Sequence, residues 1–445
     1  MRTHDFETQT PGWGRTWLLL GTLTLTACGG TSDAPRAGQH PEEAVEKGAV
    51  SALNAPCGQD PEPTWSTPSF ASGAEVATDG NLSLVVWRDG SRPGEIQAAR
   101  VSKRGRLLDP EALQLNPSPS AQAGAPAVAF DGRQFLVIWQ GEHSLFLARV
   151  KPDGTVAGPA QSIVAISGDP SSTPGIACTW RKCLAAWSDF GDPRRIRGVL
   201  VKSFDTGIHT QELTIATDTV AFSSYGVPVA WSDNRFLVAW SDARFGDPKL
   251  RAARVTSEGA VLDPAGIIIS ETAGAQTYVD LVGTKQGFFV AWSDSRNGTQ
   301  DLFGTLVRSN GFVPDPDGFP LATGHGDVLP SLAYDGQRVL ATWSRQRPDR
   351  FTIRGNVVMP DGTLSAPDGF LLSERDFVRE VDSDVLFLDG QYFLAYGAAP
   401  TIDEPPFQVI VGTRVAPDGS RLDDPAIRIS HSPSVEGASL APSTR

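Results

Sequence analysis

A tryptophan that closes a short apolar run returns along the chain at an almost constant interval, and this constrains the fold more than any other feature. The runs are LVVW ending at Trp87, LVIW at Trp139, LAAW at Trp187, LVAW at Trp240, FVAW at Trp292 and LATW at Trp343. A seventh, FLAY, places Tyr396 at the same point. Successive markers are 52, 48, 53, 52, 51 and 53 residues apart. Even spacing over seven marks is the signature of one supersecondary unit copied along the chain.

Each copy follows one plan, clearest in the sixth. Ser331 to Tyr334 reads as a first strand and Asp335-Gly336 as a hairpin turn whose two positions tolerate positive φ. Arg338 to Trp343 reads as a second strand, and a polar loop, Ser344 to Arg350, leads to a third from Phe351 to Met359. Pro360-Asp361-Gly362 turns the chain again, towards a looser fourth segment near Phe370 to Ser373. Asp-Gly turns recur at Asp79, Asp131 and Asp389 between strands one and two, and at Asp153, Asp361 and Asp418 between strands three and four. Abundant Gly (45) and Pro (34) with only 2 Met suits short strands and tight turns better than helices. The second strand is apolar on both sides, with Val339, Ala341 and Trp343 on one and Leu340 on the other. A strand buried on both sides belongs to a sheet sandwiched between two others. The expected fold is therefore all-β: a single seven-bladed β-propeller with four antiparallel strands per blade. Seven separate modules and a solenoid are the alternatives.

A second marker sits in the third strands, where a small residue precedes a recurrent Val by three. The pairs are Ala98/Val101, Gly198/Val201, Ala252/Val255, Gly304/Val307, Gly355/Val358 and Gly412/Val415, with Leu147/Val150 the exception. The expectation is that the small residue makes room for the neighbouring indole.

The domain plan has four parts. Residues 1–27 read as a signal segment and residues 28–63 as a flexible tether. The repeats fill 64–433, and 434–445 form a tail. Trp17 to Thr26 is a ten-residue apolar stretch, too short to span a bilayer. It ends in Leu25-Thr26-Ala27-Cys28, which resembles a bacterial lipobox. The resemblance implies cleavage before Cys28, lipidation of that residue and a membrane anchor. Gly29 follows in place of Asp, which by resemblance to Gram-negative sorting implies the outer membrane. The repeat itself resembles those of bacterial secreted lipoproteins, of the form DG-x-x-Φ-L-V-x-W followed by A-R-V-x-x-x-G. Asp131-Gly132 through Trp139, and Ala148-Arg149-Val150 through Gly154, carry the likeness. It implies a fold and a cell-envelope location, and no activity.

Of the four cysteines, Cys178 and Cys183 stand where the second copy has Phe130 and Phe135. Two thiols facing each other across a hairpin in an oxidising envelope predict a disulfide. Cys57 lies in the tether segment. The six histidines form no H-x-x-x-H or Cys/His cluster, so the sequence offers no metal site. No G-x-S-x-G elbow, P-loop or dinucleotide fingerprint stands out, and neither catalytic residues nor a cofactor are expected. Pro314-Asp315-Pro316-Asp317-Gly318 has only a faint likeness to an acidic calcium loop. The formal charge of −13 repels nucleic-acid phosphates.

The candidate binding residues are acidic and repeated. Asp follows the marker Trp by two in four copies, at Asp89, Asp189, Asp242 and Asp294, with Arg92, Arg194, Arg244 and Arg296 close behind. These positions open the strand 2–3 loops, which a propeller gathers on one face. The distance from marker to recurrent Val there varies from 11 residues in the second copy to 19 in the seventh. Variable loops on a constant scaffold are where binding usually lives. One reading is a ring of Asp and Arg able to take a peptide, glycan or cation. The other is a set of side chains capping their own loops. The expected function is non-enzymatic binding of a protein or glycan at the envelope. The alternatives are a hydrolase or lyase acting on a polysaccharide, or a calcium-dependent adhesin. Carboxylates converging with His or Tyr in the central channel favour the enzyme; scattered, self-paired aspartates favour binding.

Overall fold

The computed structural model describes residues 71–89, 94–116, 123–166, 173–191, 193–204, 207–217, 226–244, 246–373, 377, 379–399 and 409–430. The signal segment, Cys28, the tether with Cys57, Arg92 and the tail lie outside the described residues.

The described residues form seven sheets, each of four antiparallel strands taken in sequence order. In blade 6 the strands are Asp327–Tyr334, Val339–Gln346, Phe351–Val358 and Phe370–Leu371. The first strand starts four residues before the apolar pattern indicates, because a bulge between Val328 and Ser331 breaks the alternation that marks a strand. The second strand runs past Trp343 to Gln346, so the position two after the marker lies in the strand and does not open a loop.

The first strands pack one on the next from blade 1 to blade 7, and the first strand of blade 7 packs on that of blade 1. The buried apolar residues fall into seven clusters, each drawn from two adjacent blades. Val85, Trp87 and Val101 of blade 1 share one with Leu386, Phe393 and Ile410 of blade 7. Leu136 and Leu147 of blade 2 share another with Trp187 and Val199 of blade 3. No sheet takes a strand from the other end of the described chain, so side-chain packing closes the circle. All six marker Trp residues and Tyr396 are at most 2% exposed.

The indole is accommodated differently from the expectation. A Cβ on Gly198, Gly304, Gly355 or Gly412 would meet Ile215, Leu321, Leu372 or Ile429 within 3.1 Å. The small third-strand residue therefore seats an apolar residue in or just after the fourth strand. In blades 5 and 6, room for the indole comes from a glycine just ahead of that strand. A Cβ on Gly318 would lie 2.4 Å from Trp292, and one on Gly369 would lie 2.5 Å from Trp343.

The Asp-Gly turns also divide. Only Asp389-Gly390 has both residues at positive φ, 53° and 81°. At Asp131-Gly132 only the glycine is left-handed, at 92°. There Asp131 holds the turn with its carboxylate, accepting the Arg133 and Gln134 N–H groups at 2.8 and 2.9 Å.

The Cys178–Cys183 disulfide is formed. Its cysteines are cross-strand partners at the position held by the Phe130/Phe135, Trp231/Phe236 and Phe387/Tyr392 pairs. Those aromatic pairs have ring centroids 4.9, 4.5 and 5.1 Å apart. The disulfide thus replaces an aromatic contact at the base of one hairpin.

Gly369 has φ +65°, and an added Cβ would also lie 2.6 Å from the Gly355 carbonyl oxygen. Gly369→Ala is expected to cost about 3 kcal/mol, the sum of left-handed strain and overpacking. Gly336→Ala, at φ +94° with nothing within 4 Å, is expected to cost only about 1 kcal/mol. Chemical denaturation of the full chain measures both; equal losses would contradict the account of the indole seat.

Candidate functional site

A cavity of about 480 Å³ lies on the ring axis and is lined by first-strand residues of all seven blades. It is set in the leading parts of those strands. Antiparallel pairing puts the start of each first strand beside the end of the second: Ala71 opposes Asp89 and Gln276 opposes Asp294. The cavity therefore lies towards the face that carries the strand 2–3 loops.

One residue per blade stands twelve positions ahead of the marker: Glu75, Ala127, Gly175, Pro228, Asp280, Ser331 and Asp384. All seven line the cavity. Blades 2 to 4 supply a small, apolar arc, and blades 5 to 7 with blade 1 supply a polar one. The same four polar blades carry a bulge just before this residue. In three of them a non-glycine residue takes the left-handed region: Tyr278 at φ 50°, Leu329 at 58° and Asp382 at 55°. Such backbone is costly for bulky side chains and persists only where the surroundings enforce it.

The polar residues tie neighbouring blades together. Leu332 N–H of blade 6 donates to Asp280 of blade 5 at 2.8 Å. Val385 N–H of blade 7 donates to Ser331 Oγ of blade 6 at 3.2 Å. Val76 N–H of blade 1 donates to Asp384 of blade 7 at 2.7 Å. Ser331 Oγ also donates to Asp384, at 2.9 Å. Each bond joins one blade to the next, and the Val76–Asp384 bond crosses the junction where the ring closes.

Burial pushes these carboxyls up. Asp280 rises to about 8, through desolvation and then the charge of Asp384, with the Leu281 and Leu332 N–H groups acting against it. Desolvation also raises Asp384, to about 6, held there by donors from Val76, Ser331 and Val385 that favour its ionised form. Glu75 is raised well above the usual range by desolvation and then by Asp384, Asp280 and Asp382. Burial raises Asp382 too, against the pull of Arg379. At neutral pH the arc thus presents both carboxylic acid and carboxylate groups. Among the described residues no group of three or more His, Cys, Asp or Glu is placed to hold a metal ion.

The repeated aspartates chosen from the sequence do not enter this cavity. Asp89, Asp189, Asp242 and Asp294 are buried at the ends of second strands. Asp294 accepts from Trp292 Nε1 at 2.9 Å and from Arg296 Nη2 at 2.6 Å. Asp242 accepts Arg244 Nε at 2.7 Å, and Asp89 accepts Gln97 Nε2 at 3.1 Å. Asp189 lies 3.5 Å from both Arg195 and Arg197, while Arg194 is exposed. In blade 6 the polarity is exchanged: Arg345 stands two after the marker and forms a fully buried pair with Asp327 at 2.7 Å. The Pro314 to Gly318 segment is a turn seated on Trp292, where the Asp317 carbonyl oxygen accepts Arg296 Nη1 at 2.8 Å.

No protein-family model and no curated protein sequence matches the chain. Solved structures with partial likeness include the β-propeller domain of the Trilobed protease from Pyrococcus furiosus (10% identity, 78% of this chain and 94% of that one, TM-score 0.48). TolB from Acinetobacter baumannii aligns at 14% identity over 74% of this chain and 76% of its own, with TM-score 0.37. A thermostable family-43 glycoside hydrolase aligns at 12% identity over 54% and 88%, with TM-score 0.36. These are likenesses of fold.

The raised carboxyls fix a pH dependence. An Asp whose native value exceeds its unfolded one binds more protons when folded, so stability falls as pH rises between the two values. For Asp280 that window runs from about 4 to about 8. Asp280→Asn keeps an acceptor for Leu332 N–H. It is expected to flatten the fall and raise the thermal midpoint at pH ~8 by a few degrees. Parallel wild-type and variant curves across the window would contradict the assignment.

Proposed function

We propose that the protein is a non-enzymatic, lipid-anchored propeller of the bacterial outer membrane that binds a protein or glycan on its strand 2–3 loop face, centred on the channel mouth. The observation that carries this reading is the lopsided cavity on that side of the ring. Its scaffold positions repeat from blade to blade, while its lining changes from Ala, Gly and Pro to Glu, Asp, Ser and Asp. Beyond tying blades together, that asymmetry gives a partner one orientation in which to dock. The repeated loop aspartates support the arrangement by fixing the ends of second strands. The anchor at Cys28 rests on the lipobox resemblance.

A hydrolase or lyase is the second reading, and one observation favours it. Asp280 stays protonated at neutral pH while Asp384, in the same cavity, ionises, the division of roles that acid–base hydrolysis of glycans uses. Tyr278 lines the same cavity. Against it, both oxygens of Asp384 are committed to donors from blades 1, 6 and 7, which suits a structural link better than a nucleophile or base.

The test is site-specific crosslinking in intact cells, with a photo-reactive amino acid in place of exposed Thr299 on the loop face or Gln337 on the hairpin face. The expected result is a discrete adduct from position 299 and none from 337. Equal labelling from both positions, or none from 299, would count against a binding face there.

A further inference from the structure

The turn between first and second strands opens on Asp in five blades, at Asp79, Asp131, Asp233, Asp335 and Asp389. At Asp79, Asp131 and Asp335 the carboxylate caps its own turn. Blade 3 has Trp180 at this place and blade 5 has Lys285. Trp180 is 66% exposed, although tryptophan is on average a highly buried residue. Its ring rests on the blade 2 turn, where a Cβ on Gly132 would lie 2.3 Å away.

The turns between third and fourth strands depart from the repeat in the same two blades. In blade 3 Phe204 is 50% exposed, with its ring 5.1 Å from that of His209. In blade 5 Phe312 is 58% exposed, at a place held by Arg106, Thr155, Ala260, Thr363 and Ser420 in other copies. Among the described residues these three are the exposed Trp and Phe side chains, and all lie at the hairpin end of blades 3 and 5.

Cations accompany them. Arg181, Lys182, Lys202, Arg235, Lys285 and Arg308 stand at the same ends of blades 3 to 5. Among the described residues of these turns the opposing carboxylates are Asp233 and Glu258, and Glu258 serves both Lys182 and Lys202. Arg254 is matched by Asp263. This arc is therefore cationic on a chain whose formal charge is −13. Aromatic rings set among Lys and Arg suit the headgroup layer of an anionic membrane, which takes both. The three rings also stand on three separate turns. A fluid surface accepts separated tips, whereas a folded partner must match all three in shape at once.

We propose that the hairpin ends of blades 3 to 5 rest on an anionic phospholipid surface, with Trp180, Phe204 and Phe312 in the headgroup layer. This goes beyond the binding-face reading and takes from it only the anchor at Cys28. Strands of eight residues make the ring about 27 Å deep. Ala71 enters on the loop side, and the 42 residues between Cys28 and Ala71 can extend about 140 Å. That reach lets the hairpin end meet the bilayer and turns the axial cavity away from it.

The experiment uses the full lipidated chain on vesicles of phosphatidylethanolamine and phosphatidylglycerol with brominated acyl chains. A fluorescent amino acid replaces Phe312 or, on the loop face, Thr299. Strong quenching is expected at 312 and little at 299. Arg308→Gln is expected to lower the population in contact about fivefold, and phosphatidylcholine vesicles to lower it further. Trp180→Asp restores the residue of five other blades; it is expected to keep the thermal midpoint within a few degrees and weaken contact about tenfold. Equal quenching at both positions would overturn the proposal, as would undiminished quenching in both variants. A chain that floats with the vesicles yet shows no quenching at 312 would overturn it and leave the anchor standing. A chain that does not float with them would remove anchor and contact together.

Discussion

The innermost strand of every blade has a neighbour in its own sheet on one side only. Its other edge faces the axis with N–H and C=O groups that no sheet partner meets, and an unmet buried backbone group is expensive. The ring uses two solutions. Across the apolar arc the backbones come together directly: Pro174 bridges Val227 in parallel, and a Cβ on Gly175 would lie 2.2 Å from the Val227 carbonyl oxygen. Across the polar arc the blades are joined by side chains, with Asp280, Ser331 and Asp384 each accepting an N–H of the following blade. The same demand for edge partners thus shapes both the closure of the circle and the character of the cavity at its centre.

A second set of links holds the hairpin side. Arg100, Arg254 and Arg414 each pair with an aspartate nine residues on, at 2.7, 2.8 and 2.6 Å. Arg100 and Arg254 also donate to the turn of the next blade, at the Pro152 and Ser309 carbonyls. A Cβ on Gly154, Gly311 or Gly105 would strike Arg100, Arg254 or Arg414, so the turn glycine lets the next blade sit on the guanidinium. Arg414 beside Gly105 places one such contact between blades 7 and 1. These largely shielded pairs set blade orientation, while the seven shared apolar clusters supply most of the cohesion.

The blade count, strand order and disulfide were legible because each leaves a local mark: a buried Trp at constant spacing, an apolar second strand, two cysteines at a hairpin base. Turn glycines were legible too, though the separate task of the aspartate beside them needed coordinates. The channel residues escaped for a physical reason. Bulges before Glu75, Asp280, Ser331 and Asp384 break the two-residue period, so the leading part of each first strand does not read as a strand. A signal was nevertheless present, since a charged or polar residue stands twelve ahead of the marker in four copies. The loop aspartates drew attention because they repeat, and they repeat because each blade needs its second strand fixed. Residues that vary within a fixed column, Glu75 against Ala127 or Asp280 against Gly175, carry the asymmetry on which the binding reading depends.

The most direct measurement is amide hydrogen exchange at Val76, whose N–H in blade 1 meets the Asp384 carboxylate of blade 7. If the copies close around an axis, this amide exchanges only through global unfolding, as slowly as the core amide of Val85, and Asp384→Ala speeds it while leaving Leu332 protected. Exchange at Val76 as fast as in the exposed hairpin turns would mean that the seventh and first copies do not meet, and the ring with its cavity would fall together.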